Sequence, residues 1–132
     1  MSRDLPDIIK QVGFDFRWDL HKVWTLDIPT ETMPIEELTW HFDIPFWPKP
    51  GGFYDLYPRD VIAHPEQYPE EYARTMNADT SHPIDVMFWK GRYVILDGLH
   101  RLGKQAIEGK ETVEVRKIPE SAIPAILKDE RE

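Results

Sequence analysis

Between Pro83 and Gly109 the chain carries two strand patterns, a tight turn and an abrupt helix start in immediate succession. Any fold it adopts must therefore contain a hairpin that feeds straight into a helix. Ile84–Trp89 and Tyr93–Leu96 are apolar, β-branched and aromatic runs of strand length, joined by Lys90-Gly91-Arg92, where Gly91 suits the positive φ of a hairpin turn. After Asp97-Gly98 the period changes. Leu99, Leu102, Gly103, Ala106 and Ile107 recur on one side at helical spacing, with His100, Arg101, Lys104, Gln105 and Glu108 on the other, and Gly109 is placed to end the helix.

Around this unit the patterns are shorter. A helix is expected at 6–12, extended segments at 23–28, 34–40 and 44–47 with a helical turn at 35–38, and a Pro/Gly loop at 48–56. Pro65 or Pro69 can open a helix running to Met76, in which Tyr68, Tyr72 and Met76 form a stripe. Residues 77–83 read as a loop, Thr112–Ile118 as a strand and Glu120–Lys128 as a short helix. This is an α+β domain: a small mixed sheet with flanking helices. Residues 1–22 are an N-terminal extension, its first few residues loose, and 79–118 form the motif-bearing core of one domain spanning 1–132.

Composition narrows the function. With 132 residues the chain has room for one real core. It has no cysteine, which removes disulfides, cysteine-ligated zinc and cysteine nucleophiles. The polar start, Met1-Ser-Arg-Asp-Leu-Pro6, lacks a signal core, and no window approaches the ~20 apolar residues of a membrane span. A soluble, cytoplasmic protein without membrane contact is expected. The net charge of −8, with Arg116-Lys117 as the one small basic cluster, disfavours DNA binding. Twelve prolines and five tryptophans point to irregular segments pinned by large rings. Trp40, Phe42, Phe46, Trp47, Phe53, Tyr54 and Tyr57 are expected to fill the core, with a lid or partner surface as the alternative.

The chemistry points to the corner at 97–104. Asp97 can cap the helix by accepting from backbone N–H groups, and Gly98 allows both the sharp turn and the close approach of a ligand. Free N–H groups at the helix start, with His100, Arg101 and Lys104 beside them, make an arrangement suited to phosphate.

Pro83-Ile84-Asp85-Val86, followed by a turn and Tyr93-Val-Ile-Leu-Asp-Gly-Leu-His-Arg101, resembles the core of the ParB/sulfiredoxin-like superfamily across residues 79–118. Its members use this corner to hold nucleotide phosphates: CTP in ParB-type partition proteins, ATP in sulfiredoxin, ADP in a related free-serine kinase. By this resemblance Gly98, His100 and Arg101 are phosphate-binding positions, and Asp97 matches the acidic residue of the kinase-like version. Leu99 stands where sulfiredoxin has its cysteine, so sulfinic-acid reduction is excluded. No helix-turn-helix region follows within the 132 residues, and the upstream phosphate loop of partition proteins has no counterpart in 1–80.

The resulting expectation is a protein that binds a nucleotide or another phosphorylated small molecule, with Mg²⁺-dependent hydrolysis or transfer of phosphate as the implied chemistry. Gly98, Leu99, His100, Arg101 and Lys104 would hold the ligand. Asp97, His100 and Asp79 would act on it, Asp79 having been chosen from Glu36, Glu37, Asp43, Asp79, Asp85 and Asp97 for its place before the first strand. No metal site of the protein's own is expected, since His21, His41, His64 and His82 lack ligand spacing, and a His82/His100 pair is the one combination the topology could bring together. A non-catalytic module binding a protein partner is the alternative, and a ParB-like nuclease is disfavoured by the charge.

Overall fold

The Lys90-Gly91 turn closes the hairpin predicted from sequence. Both residues have positive φ (52° and 89°), and strands β2 (Ile84–Trp89) and β3 (Arg92–Asp97) pair antiparallel across it. The computed structural model describes residues 5–129, so the expected looseness of the first few residues lies outside the described residues. Helix α5 (Leu99–Ile107) carries the chain over the sheet to β4 (Thr112–Lys117), which lies parallel to β2. Strand β1 (Thr30–Pro34) adds antiparallel to the far side of β4, giving the order β1-β4-β2-β3. The protein is thus α+β with a mixed four-stranded sheet.

Alternation along the strands sends side chains to two cores. Met33, Ile84, Val86, Val113 and Val115 meet Leu102 of α5 and Leu38 on one face. On the other, Met87, Leu96 and Ile118 meet Val23 of α2 (Leu20–Trp24) and Ile126 of α6 (Ile123–Ile126). A third cluster of Trp47, Leu56 and Val61 lies under α3 (Pro58–Ala63) and α4 (Pro69–Met76), bounded by Tyr68, Tyr72 and Leu99. The aromatic residues near the Pro/Gly loop divide accordingly. Trp47 is buried and Phe42 and Phe46 pack on the cores, while Phe53 and Tyr54 line a cleft.

Helix α1 (Asp7–Val12), the turn at Ile35–Glu37 and the end of α5 at Gly109 fall where the sequence places them. Several boundaries move. The segment from Val23, expected extended, begins inside α2, whose start Asp19 caps by accepting from His21 N–H. Strand β1 lies at Thr30–Pro34 rather than 34–40, because its pairing with β4 overrides the weak local pattern. The helix leading to Met76 starts at Pro69, not Pro65.

Asp97 is not the cap of α5. Gly98 occupies that position with φ +118°, and the Asp97 carboxylate turns away to accept from Trp24 Nε1 (2.9 Å) and Arg101 (3.1 Å). Only glycine suits Gly98. Besides the positive φ, a Cβ there would stand 3.2 Å from the Ile84 side chain and 3.3 Å from an Arg101 guanidinium nitrogen.

Candidate functional site

Turning Asp97 aside leaves the first N–H groups of α5 without a side-chain cap. The helix start stands at the end of β3, where Asp97, Gly98, Leu99, His100 and Arg101 line a broad cleft of about 1760 Å³. Asp79 and His82 border it from the loop before β2, and Trp47, Phe53 and Tyr54 from the Pro/Gly loop. The sequence-predicted corner residues therefore converge on one cleft, with Lys104 as the exception.

Each side chain is held by a specific partner. Arg101 is only 17% exposed; one guanidinium nitrogen donates to Pro83 O (2.7 Å), the other to Asp97. It is a fixed cation that also ties α5 to the start of β2. Lys104 donates to Ala78 O (3.1 Å) and anchors the 77–83 loop from outside the cleft. Leu99 is half-buried, its side chain packed against two of the cores, so the polar group it brings to a ligand is its backbone N–H.

His100 lies face to face on the indole of Trp47, centroids 4.5 Å apart and planes 7° apart, with Nε2 3.0 Å from Glu71 Oε2. Glu71 is a buried carboxylate that also accepts from Arg74 (2.8 Å). Sequence reasoning missed Glu71; it placed Trp47 in the core, where it lies, without foreseeing that its ring meets His100. The available signal was Glu71 and Thr75 one turn apart on the α4 face that meets α5. Gly103 permits that approach, since a Cβ there would lie 3.1 Å from Thr75 Cγ2 and 3.4 Å from the Trp47 ring.

The acids separate clearly. Asp79 Oδ1 accepts from the Ser81 N–H (3.0 Å) and hydroxyl (2.6 Å), and these bonds hold its carboxyl below the usual range, with smaller help from His82 and Arg101. Asp43 pairs with Arg59 and Asp85 is buried against Arg116, neither on the cleft, and exposed Glu36 and Glu37 do not line it. His82 and His100 do border the same cleft, but they face Asp79 and Glu71 respectively. Among the described residues no three His, Asp or Glu stand together as a metal site.

His41 is a second buried feature that the spacing did not reveal. Ile95 N–H donates to its Nε2 (3.1 Å), so Nδ1 carries the proton and donates to Leu38 O (2.7 Å). Burial drives its pKa down to about 4. With Trp40 Nε1 on Tyr93 O and Trp18 Nε1 on Leu96 O, it covers the outer edge of β3 beside the cleft.

Comparison with known proteins finds no family model, curated protein or solved structure that matches this chain. Among the described residues no helix is long and apolar enough to cross a membrane.

Proposed function

We propose that the chain is a ParB/sulfiredoxin-like domain that binds a nucleotide, or another phosphate-bearing small molecule, at the start of α5. The observation that carries this reading is the uncapped helix start beside a fixed guanidinium. The N–H groups after Gly98 and the Arg101 side chain border the same cleft, and no capping carboxylate competes for them. The hairpin, the Asp97-Gly98 corner and the helix succeed one another in the order of the motif at 83–101, which supports the reading. In a chain of net charge −8, anion binding needs such a local concentration of donors. His100 and His82 add ring nitrogens at its margin. Phe53 and Tyr54, across the cleft, offer ring faces of the kind a base stacks on.

Thermal unfolding with ATP, ADP, CTP and GTP, each with Mg²⁺, tests the reading. A ligand at 100 times its Kd adds about 2.7 kcal/mol, which raises the midpoint of a domain this size by about 10 °C. The same titration of Arg101→Ala is scored against that variant's own midpoint, because Arg101 also holds Pro83. The expected result is a shift in wild type that Arg101→Ala loses. No shift with any of the four overturns nucleotide binding, and no shift with inorganic phosphate or pyrophosphate either overturns the phosphate reading as a whole.

A further inference from the structure

The Glu71–His100 contact has the geometry of a base held by a carboxylate. An ionised carboxylate can only accept, so at 3.0 Å the proton between the two belongs to His100 Nε2. Nδ1 is then the ring nitrogen that carries the lone pair. It has no hydrogen-bond partner among the described residues, and it is not a buried atom, Trp89 Nε1 being the buried side-chain nitrogen left without one. The ring itself borders the cleft.

Three features of the packing help keep the ring from turning. Trp47, 3% exposed, stacks on one face; Arg74 holds the other Glu71 oxygen; and Gly103 lets α4 come close enough for Glu71 to reach α5. A buried carboxylate, a stacked ring that borders the cleft and a ring nitrogen left without a partner form a built arrangement rather than a solvated helix face. Other candidates fall short: the Asp85–Arg116 pair has no opening to the cleft, and His41 has both nitrogens satisfied.

We infer that Glu71 is a positioning residue that fixes His100 with Nδ1 bare, and that His100 is the general base for attack of water on a phosphoryl group held at the start of α5. This rests on the phosphate-binding reading and makes the protein a phosphohydrolase. Nδ1 takes a proton from water as the water oxygen bonds to phosphorus. The bond from phosphorus to the bridging oxygen breaks, its electron pair leaves with the nucleoside phosphate, and the His100 proton passes to solvent. No covalent enzyme intermediate and no other co-reactant are needed.

Two measurements test it. In the free protein, nitrogen-15 spectra of the imidazoles at neutral pH, with His100 assigned through His100→Gln, should show His100 protonated on Nε2. Glu71→Gln should mix the two tautomers. Then phosphate release from ATP, ADP, CTP and GTP with Mg²⁺ should show kcat falling about 100-fold in Glu71→Gln, with KM within about twofold. The acid limb of the wild-type pH–rate profile should move in the variant, and Glu71→Asp should recover part of kcat. A His100 protonated on Nδ1, or kcat unchanged in Glu71→Gln, overturns the inference. Nucleotide binding without phosphate release overturns the base and leaves the binding reading standing, whereas absence of binding overturns both.

Discussion

The missing side chain of Gly103 decides how close two helices come. Alanine would gain about 0.5–1 kcal/mol of helix propensity, but its Cβ would stand 3.1 Å from Thr75 Cγ2 and 3.4 Å from Trp47. Neither neighbour can retreat easily: Thr75 is fully buried with its hydroxyl on Glu71 O (2.8 Å), and Trp47 is wedged between Leu56 and His100. Overpacking of this kind costs about 1–3 kcal/mol, so Gly103→Ala is expected to destabilise despite better propensity. Thr75→Ser removes the offending methyl while keeping the hydroxyl. In urea denaturation the Gly103→Ala, Thr75→Ser double variant should be more stable than Gly103→Ala alone. If the two substitutions simply add, the crowding argument fails.

At the scale of elements, β3 is an edge strand whose outer side is closed by His41, Trp40 and Trp18 rather than by another strand. This closure carries a pH dependence. His41 titrates near 6.5 when unfolded and is lowered by burial to about 4 when folded. The unfolded chain therefore binds the proton first. The stability due to this group is fully present above pH 6.5 and is lost as pH falls through about 4, a loss of about 3 kcal/mol. Chemical denaturation from pH 7 to 4 should show that decline, and His41→Asn should flatten it, the titrating ring being replaced by a group that does not titrate. An unchanged slope in His41→Asn would place the acid sensitivity elsewhere.

The same strand shows what could be read beforehand. Strands β2 and β3, helix α5 and the corner between them are local, and their periodicity and turn residues announce them. Strand β1 and helix α2 exist because β4 and Arg116 receive them, partners roughly 80–90 residues away in the chain, and local pattern is silent on those. The corner residues were legible as a group, but Glu71 was not, since a carboxylate on a short helix looks solvated until the opposing glycine brings α5 against it.

Across the whole molecule, the junction that joins sheet, corner and α2 is charged. The register shift in β2 sets Asp85 opposite Asp97, two like charges side by side. Each has its own arginine: Arg116 Nε donates to Asp85 (2.7 Å), and Arg101 donates to Asp97 (3.1 Å). Helix α2 and the turn after it close over both, with Trp24 donating to Asp97 and the carbonyls of Val23 and, just past the helix, Leu26 accepting from Arg116 (2.8 Å each). Arg116 therefore links β4, β2 and α2 at once, and the state of Asp85 is felt at the site through Asp97. Burial pushes the Asp85 carboxyl above its ordinary value, opposed by Arg116 and reinforced by Asp97. A raised folded value means the folded state binds the proton more readily, so this group's contribution falls as pH rises through that range.

Removing the arginine should widen the effect. Arg116→Leu leaves Asp85 buried without a partner, a change that costs about 3–5 kcal/mol near neutrality. Without Arg116, which opposes the upward push of burial, Asp85 takes up a proton more readily as pH falls and the charge penalty shrinks, so the gap between wild type and Arg116→Leu should narrow toward acid pH. Asp85→Asn in the Arg116→Leu background should recover stability at pH 7, and progressively less of it as pH falls. A gap independent of pH would mean that Arg116 acts through the α2 carbonyls alone and that Asp85 does not carry the junction.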